Sequence, residues 1–202
     1  MTSGIRKRIG LFGGSFDPLH CGHLIMAQDA VEAMGLDQLY FIPAKKNPLK
    51  EIGPVVDGVD RLGMIESAIG GDERFGCLDW EILEPEEPSY SLRTVERAEA
   101  FFQGAELFWI LGQDQGPDMG KWHQIERLVE KVRFVVLERP GEHLEFPDLA
   151  GLSVDRIGAH RIEISATEIR RRIKEGKPVD FLVPSSVLTY IETNGLYRDV
   201  SH

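Results

Sequence analysis

His20 and His23 stand three residues apart in the stretch Gly13-Gly14-Ser15-Phe16-Asp17-Pro18-Leu19-His20-Cys21-Gly22-His23-Leu24. Across a helix start, that spacing lets both imidazoles lie on one side of the helix. Their shared task would be to donate hydrogen bonds to a phosphate whose charge grows during group transfer. One such donor is worth about 2.7–4 kcal/mol of barrier. Gly13 and Gly14 allow backbone to come close to a ligand, and a helix beginning near Gly22 offers open N–H groups and its positive dipole end to an anion. The same residues have plainer readings: Asp17-Pro18 as a turn and Cys21 as a small packing residue. His-Cys-Gly-His is a poor zinc site, because three ligands crowd into four residues with no fourth nearby.

A second stretch, Ile164-Ser165-Ala166-Thr167-Glu168-Ile169-Arg170, opens a helix late in the chain. Ser165 with Glu168 three residues on forms a capping box, with Ile169 and Ile173 on the buried face. Hydroxyls at a helix start followed by Arg170 also describe a triphosphate cradle in which Arg is the bidentate partner. Both readings stand at this point. Arg171 and Arg172 read as a solvated face.

The elements that must position these residues follow from hydrophobic periodicity. Strands are expected at 8–13, 38–42, 75–82, 106–111, 132–137 and 161–164. Helices are expected at 22–34, 57–69, 92–102, 122–130 and 166–174, with a last one around Val183 to Ile191. Leu24, Ala27, Val31 and Met34 mark the inner face of the first helix, and Gly35 stops it. The segment from Arg139 to Gly158 is weakly patterned. Continuous apolar strands separated by helices argue for an α/β fold with a parallel sheet covered on both faces. Ligands in such folds bind beyond the carboxyl ends of the strands, so the loops after Gly13, Ile42, Leu111 and Ile164 are expected to converge.

The 202 residues are 42% hydrophobic and 28% charged, which is ordinary globular composition and suggests a single domain over 1–202 with a small helical C-terminal part from about residue 165. Lys plus Arg number 23 against 33 Asp plus Glu, a net charge of −10, which disfavours nucleic acid as the main partner. A small anion sees only local charge and is not excluded. Two cysteines, Cys21 and Cys77, are too few for a disulfide framework and fit a reducing, cytoplasmic setting. No apolar run approaches the roughly 18 residues of a membrane helix, and the residues after the basic start are too polar for a signal peptide.

Gly14, Phe16, Asp17, Pro18, His20, Gly22 and His23 fill every fixed position of a Gly-x-Phe-Asp-Pro-x-His-x-Gly-His loop. That loop resembles the signature of a nucleotidyltransferase superfamily, and residues 164–170 are similar to its Ile-Ser-x-Thr-x-Ile-Arg motif. Further pieces resemble the bacterial nicotinate-nucleotide adenylyltransferases: Phe41-Ile-Pro43 with a basic loop after it, Pro88-Ser-Tyr-Ser91, Trp109 to Asp114, Trp122, Arg139-Pro-Gly141, and Val183-Pro184 through Gly195-Leu-Tyr-Arg198. The shorter pantetheine-phosphate adenylyltransferases share the first motif but not this tail.

The resemblance implies a Rossmann-like nucleotidyltransferase α/β fold and adenylyl transfer from ATP to nicotinate mononucleotide, with Mg2+ arriving on ATP. It implies catalytic roles for His20, His23, Lys50 and Arg170. ATP would be held by Gly13, Gly14, Ser15, Phe16, His20, His23, Gly112, Asp114, Ser165, Thr167 and Arg170. The mononucleotide would meet Lys45, Ser89, Tyr90, Ser91 and Trp122, with N–H groups of a helix starting at Trp122 taking the ring carboxylate. Two positions depart from the family pattern: Leu49 replaces a frequent histidine, and His123 replaces a frequent aromatic. Rival readings are a nicotinamide mononucleotide or other acceptor, a non-catalytic nucleotide-binding module, and a zinc-binding module. The oligomeric state is open, a homo-oligomer included.

Overall fold

Strand β1 (Arg8–Gly14) runs into a loop and then helix α1 (Cys21–Met34), which ends where Gly35 takes a left-handed φ of 55°. The structure, a computed structural model, describes residues 6–49, 52–84, 88–138 and 146–198. After α1 come β2 (Gln38–Pro43), α2 (Gly58–Ile69), β3 (Phe75–Cys77), a single turn α3 (Trp80–Leu83) and α4 (Ser91–Phe101). Then follow β4 (Glu106–Gly112), a 3-10 helix (Gln113–Lys121), α5 (Ile125–Val129), β5 (Arg133–Glu138), β6 (Val154–Gly158), α6 (Ala166–Lys174) and α7 (Ser185–Thr193).

The strands form one six-stranded sheet in the order β3-β2-β1-β4-β5-β6, with β1–β4, β4–β5 and β5–β6 paired in parallel. β1 lies where the chain order reverses, and in open α/β sheets the loop after such a strand is the usual ligand site. Leu107 through Leu111 and Phe134 through Leu137 are buried without alternation, which is the mark of strands covered on both faces. Among the described residues no helix is long and apolar enough to cross a membrane.

Two compact units make up the chain. One comprises residues 1–13, 26–40 and 90–161; it holds most of β1 together with β4, β5 and β6. Within it, buried Asp29 accepts hydrogen bonds from the His160 backbone N–H (2.9 Å) and ring Nδ1 (2.7 Å). The other comprises residues 14–25, 41–89 and 162–202; it holds the histidine loop, α2, α3, α6 and α7. There α2 starts on Asp57, whose carboxylate caps the Asp60 N–H at 2.9 Å, and buries Arg61, Met64, Ile65 and Ile69.

Three elements differ from the sequence expectation. The strand expected over 75–82 stops at Cys77; Leu78 still donates its N–H to Phe41 O (2.9 Å), and then the chain turns into α3. The expected helix over 122–130 shortens to α5, because Trp122 ends the preceding 3-10 helix and Gln124 takes a left-handed φ of 51°. The last strand is 154–158, not 161–164. β6 is an edge strand whose Asp155 and Arg156 pair with Arg133 (2.8 Å) and Glu138 (2.7 Å) of β5, so charge hides its strand character. Residues 161–164 alternate apolar and polar yet join no ladder; Ile162 lies against Gly22 instead.

Candidate active site

The loop after β1 owes its shape to aromatic rings that need missing side chains. A Cβ on Gly14 would stand 2.8 Å from the Phe16 ring, and one on Gly13 would stand 2.9 Å from the Trp109 ring. The room that these glycines leave, expected for a ligand, is thus taken by the protein's own side chains. Phe16, 2% exposed with a left-handed φ of 47°, packs edge-on against His23 (4.9 Å between centroids) and Phe41 (5.5 Å). What its geometry provides is a wall behind His23.

The two histidines stack, with ring centroids 3.6 Å apart and planes 20° apart. The His20 backbone N–H donates to His23 Nδ1 at 3.2 Å. That acceptor role leaves Nε2 to carry the proton of the neutral His23 ring. His20 is 6% exposed, and burial lowers its pKa to about 4, so at neutral pH it is an uncharged imidazole. Its Nδ1 is buried without a partner among the described residues, which favours the tautomer with the proton on Nε2, since a buried unpaired N–H costs more than a buried lone pair. A Cβ on Gly22 would stand 3.1 Å from that Nδ1. The start of α1 is less open than expected: the Cys21 N–H donates to Leu182 O (3.0 Å), and the His23 N–H to His20 O (2.9 Å).

Around the loop runs a set of tethers that sequence reasoning missed. Arg61, 2% exposed, donates from Nη1 to Ser15 O (2.8 Å) and Ala44 O (2.7 Å). Such a buried cation is retained only with its donors satisfied. Asp17, 3% exposed, accepts from the Val55 N–H at Oδ2 (2.6 Å) and from the Tyr197 hydroxyl at Oδ1 (2.7 Å). Arg170 donates from Nη1 to the Asp17 carbonyl (2.6 Å) and from Nη2 to Thr167 Oγ1 (3.2 Å). Arg61 carried no readable signal beyond its place in the helix expected over 57–69, and Tyr197 only its place in the family tail. Their contacts span 46 and 180 residues of sequence.

The remaining expected residues divide between the units. With the histidines lie Gly14, Ser15, Lys45, Ser89, Ser165, Thr167 and Arg170. Ser165 caps the Glu168 N–H (3.2 Å), as its plainer reading required. The Ser89 hydroxyl accepts from the Lys45 N–H (2.9 Å), and Lys45 Nζ reaches Glu84 O (2.8 Å). Arg172 is no free solvated charge: its guanidinium holds Pro178 O at 2.9 and 3.1 Å.

In the other unit lie Gly13, Tyr90, Ser91, Gly112, Asp114 and Trp122. Tyr90 stacks on His123 at 4.2 Å, and Trp122 meets Trp109 and Phe134 edge-on at 6.3 Å each. The Trp122 N–H donates to Met119 O (3.0 Å). It therefore belongs to the 3-10 helix and not to an open helix start, which corrects the expected carboxylate donors there. Asp114 Oδ1 would lie 2.7 Å from a Cβ on Gly112, so Gly112 makes room for that carboxylate. Lys50, and Arg139 through Gly141, lie outside the described residues. No group of three or more His, Cys, Asp or Glu that could hold a metal occurs among the described residues.

The cytidylyltransferase-like family matches residues 11–172, a span that includes the histidine loop and the start of α6 through Arg170. The chain is 38% identical over 192 residues to the nicotinate-nucleotide adenylyltransferase of Bacillus subtilis, covering 95% of this chain and 99% of that one. The nicotinic acid mononucleotide adenylyltransferase of Plasmodium falciparum, solved in complex with NaAD, superposes with a TM-score of 0.75 over 95% of this chain and 98% of that one. Its complex with APC gives a TM-score of 0.73. At 18% and 17% identity these two likenesses concern the fold, which is the nucleotidyltransferase α/β fold. The chain belongs to the cytidylyltransferase-like family and, within it, to the nicotinate-nucleotide adenylyltransferases.

Proposed function

We propose that this chain transfers the adenylyl group of ATP to nicotinate mononucleotide, giving deamido-NAD and pyrophosphate. The 5′-phosphate oxygen of the mononucleotide attacks the α-phosphorus of ATP, forming one P–O bond as the bond to the β-phosphate oxygen breaks. No covalent enzyme intermediate is needed, so the protein supplies position and charge stabilisation. The observation that carries the reading is the His20–His23 pair, stacked at 3.6 Å with the Nδ1 atom of His23 committed as an acceptor. On His20 the tautomer with the proton on Nε2 supplies an N–H suited to phosphate oxygens on which charge accumulates, and His23 stacks directly upon it.

Because His20 is neutral, positive charge toward the triphosphate comes from Arg170 and Lys50 in this reading, with Lys45 on the mononucleotide side. Arg170 spends one N–H on Asp17 O and one on Thr167, leaving three of its five for a ligand. Mg2+ enters on ATP, since the described residues offer no metal cluster of their own; once bound it neutralises phosphate charge. Gly112, Asp114, Ser165 and Thr167 are assigned to ATP, and Ser89, Tyr90, Ser91 and Trp122 to the mononucleotide. In this reading the enzyme works in the cytoplasm.

A substrate panel tests this reading: ATP with nicotinate mononucleotide, nicotinamide mononucleotide and phosphopantetheine, scored by pyrophosphate release. Turnover with nicotinate mononucleotide at least about tenfold above the nicotinamide form in kcat/KM is expected, a gap of about 1.4 kcal/mol. No pyrophosphate with any acceptor would replace the reading with the nucleotide-binding module.

A further inference from the structure

We infer that Tyr197 is a positioning residue for the histidine loop, acting through the carboxylate of Asp17; this rests on the adenylyl-transfer reading above. Asp17 stands three residues before His20 and is 3% exposed, so its carboxylate depends on protein donors. Oδ2 takes the Val55 N–H at 2.6 Å and Oδ1 takes the Tyr197 hydroxyl at 2.7 Å. Arg170 holds the Asp17 carbonyl at 2.6 Å but stands 3.8 Å from Oδ2.

Tyr197 reaches this point in the left-handed region, with a φ of 62°, an uncommon conformation for a residue with a bulky side chain. The unfavourable conformation is kept where the hydroxyl meets the carboxylate. Without that hydroxyl, Oδ1 of a buried carboxylate loses a donor, and the nearest cation able to replace it is Arg170. Drawing Arg170 onto the carboxylate weakens its hold on the Asp17 carbonyl. The segment that carries the His20 N–H to the His23 Nδ1 atom then shifts. The histidines keep their identity but lose their aim.

Tyr197→Phe removes the hydroxyl and keeps the ring. Turnover of ATP with nicotinate mononucleotide is measured per competent molecule, counted by the stoichiometry of a non-hydrolysable ATP analogue. The imidazole 15N signals of both chains are recorded alongside. The expected result is a fall in kcat of about tenfold, the scale of one hydrogen bond to a charged acceptor. Both KM values are expected to stay within about twofold of the parent, with shifted His23 signals. A kcat within about twofold of the parent overturns the inference, whatever happens to the melting temperature. A parent that releases no pyrophosphate removes the adenylyl-transfer reading instead. In that case the spectra decide on Tyr197: shifted His23 signals support the inference and unchanged ones overturn it.

Discussion

Acidification should unfold this protein partly through His20, and the magnitude follows from its burial. The folded ring titrates at about 4 against 6.5 for an exposed histidine, because burial penalises the imidazolium. Above pH 6.5 both folded and unfolded chains hold His20 neutral, and it contributes no pH dependence. As pH falls from 6.5 towards 4, the unfolded chain takes up a proton that the folded chain refuses, so stability drops. The loss amounts to about 1 to 2 kcal/mol at pH 5.5 and about 2 to 3 kcal/mol at pH 4.5, levelling off at about 3 kcal/mol below the folded pKa.

Other groups titrate in the same range, so the comparison is with His20→Gln, which keeps a polar side chain and removes the titration. Urea unfolding of both chains at pH 7.5, 5.5 and 4.5 isolates the ring. The parent should lose about 2 to 3 kcal/mol more than the variant between the first and last pH. Parallel losses in the two chains would refute the argument, since His20 would then titrate alike in both states. A neutral His20 also means that turnover between pH 5 and 8 should not follow its protonation.

Replacing either histidine by Ala should lower turnover about a hundredfold or more in a pyrophosphate assay, the worth of one donor to a developing oxyanion; near-normal rates would remove that residue from catalysis. Arg170→Ala should raise the KM for ATP more than that for the mononucleotide. Arg172→Ala should leave both KM values alone but cost about 1 kcal/mol in urea unfolding, because its partner is Pro178 O; equal kinetic effects of the two would dismiss the triphosphate cradle. Gly63→Ala should cost about 1–3 kcal/mol, since its Cβ would stand 2.5 Å from the Tyr190 hydroxyl where α7 meets α2. An unchanged denaturation midpoint would show that Tyr190 moves aside freely.

By itself the sequence determined the elements with strong local pattern: β1, α1 up to Gly35, and α6 with its Ser165 cap. It also placed the histidine motif and the Ser165–Arg170 segment, because those are contiguous residues whose spacing is written in the chain. Tertiary structure decided what depends on neighbours far away. Residues 161–164 have a strand's alternation but no ladder partner, whereas charged residues 154–158 pair with β5. Trp122 marks a helix start by periodicity, but Met119 O takes its N–H. Arg61 on α2 looks like any helix cation until Ser15 and Ala44 present their carbonyls to it. His20 is read as a donor from its motif, yet its neutrality comes from burial, a property of everything packed around the ring. Local propensity and spacing are short-range quantities, while desolvation and hydrogen-bond satisfaction are settled only when distant segments meet.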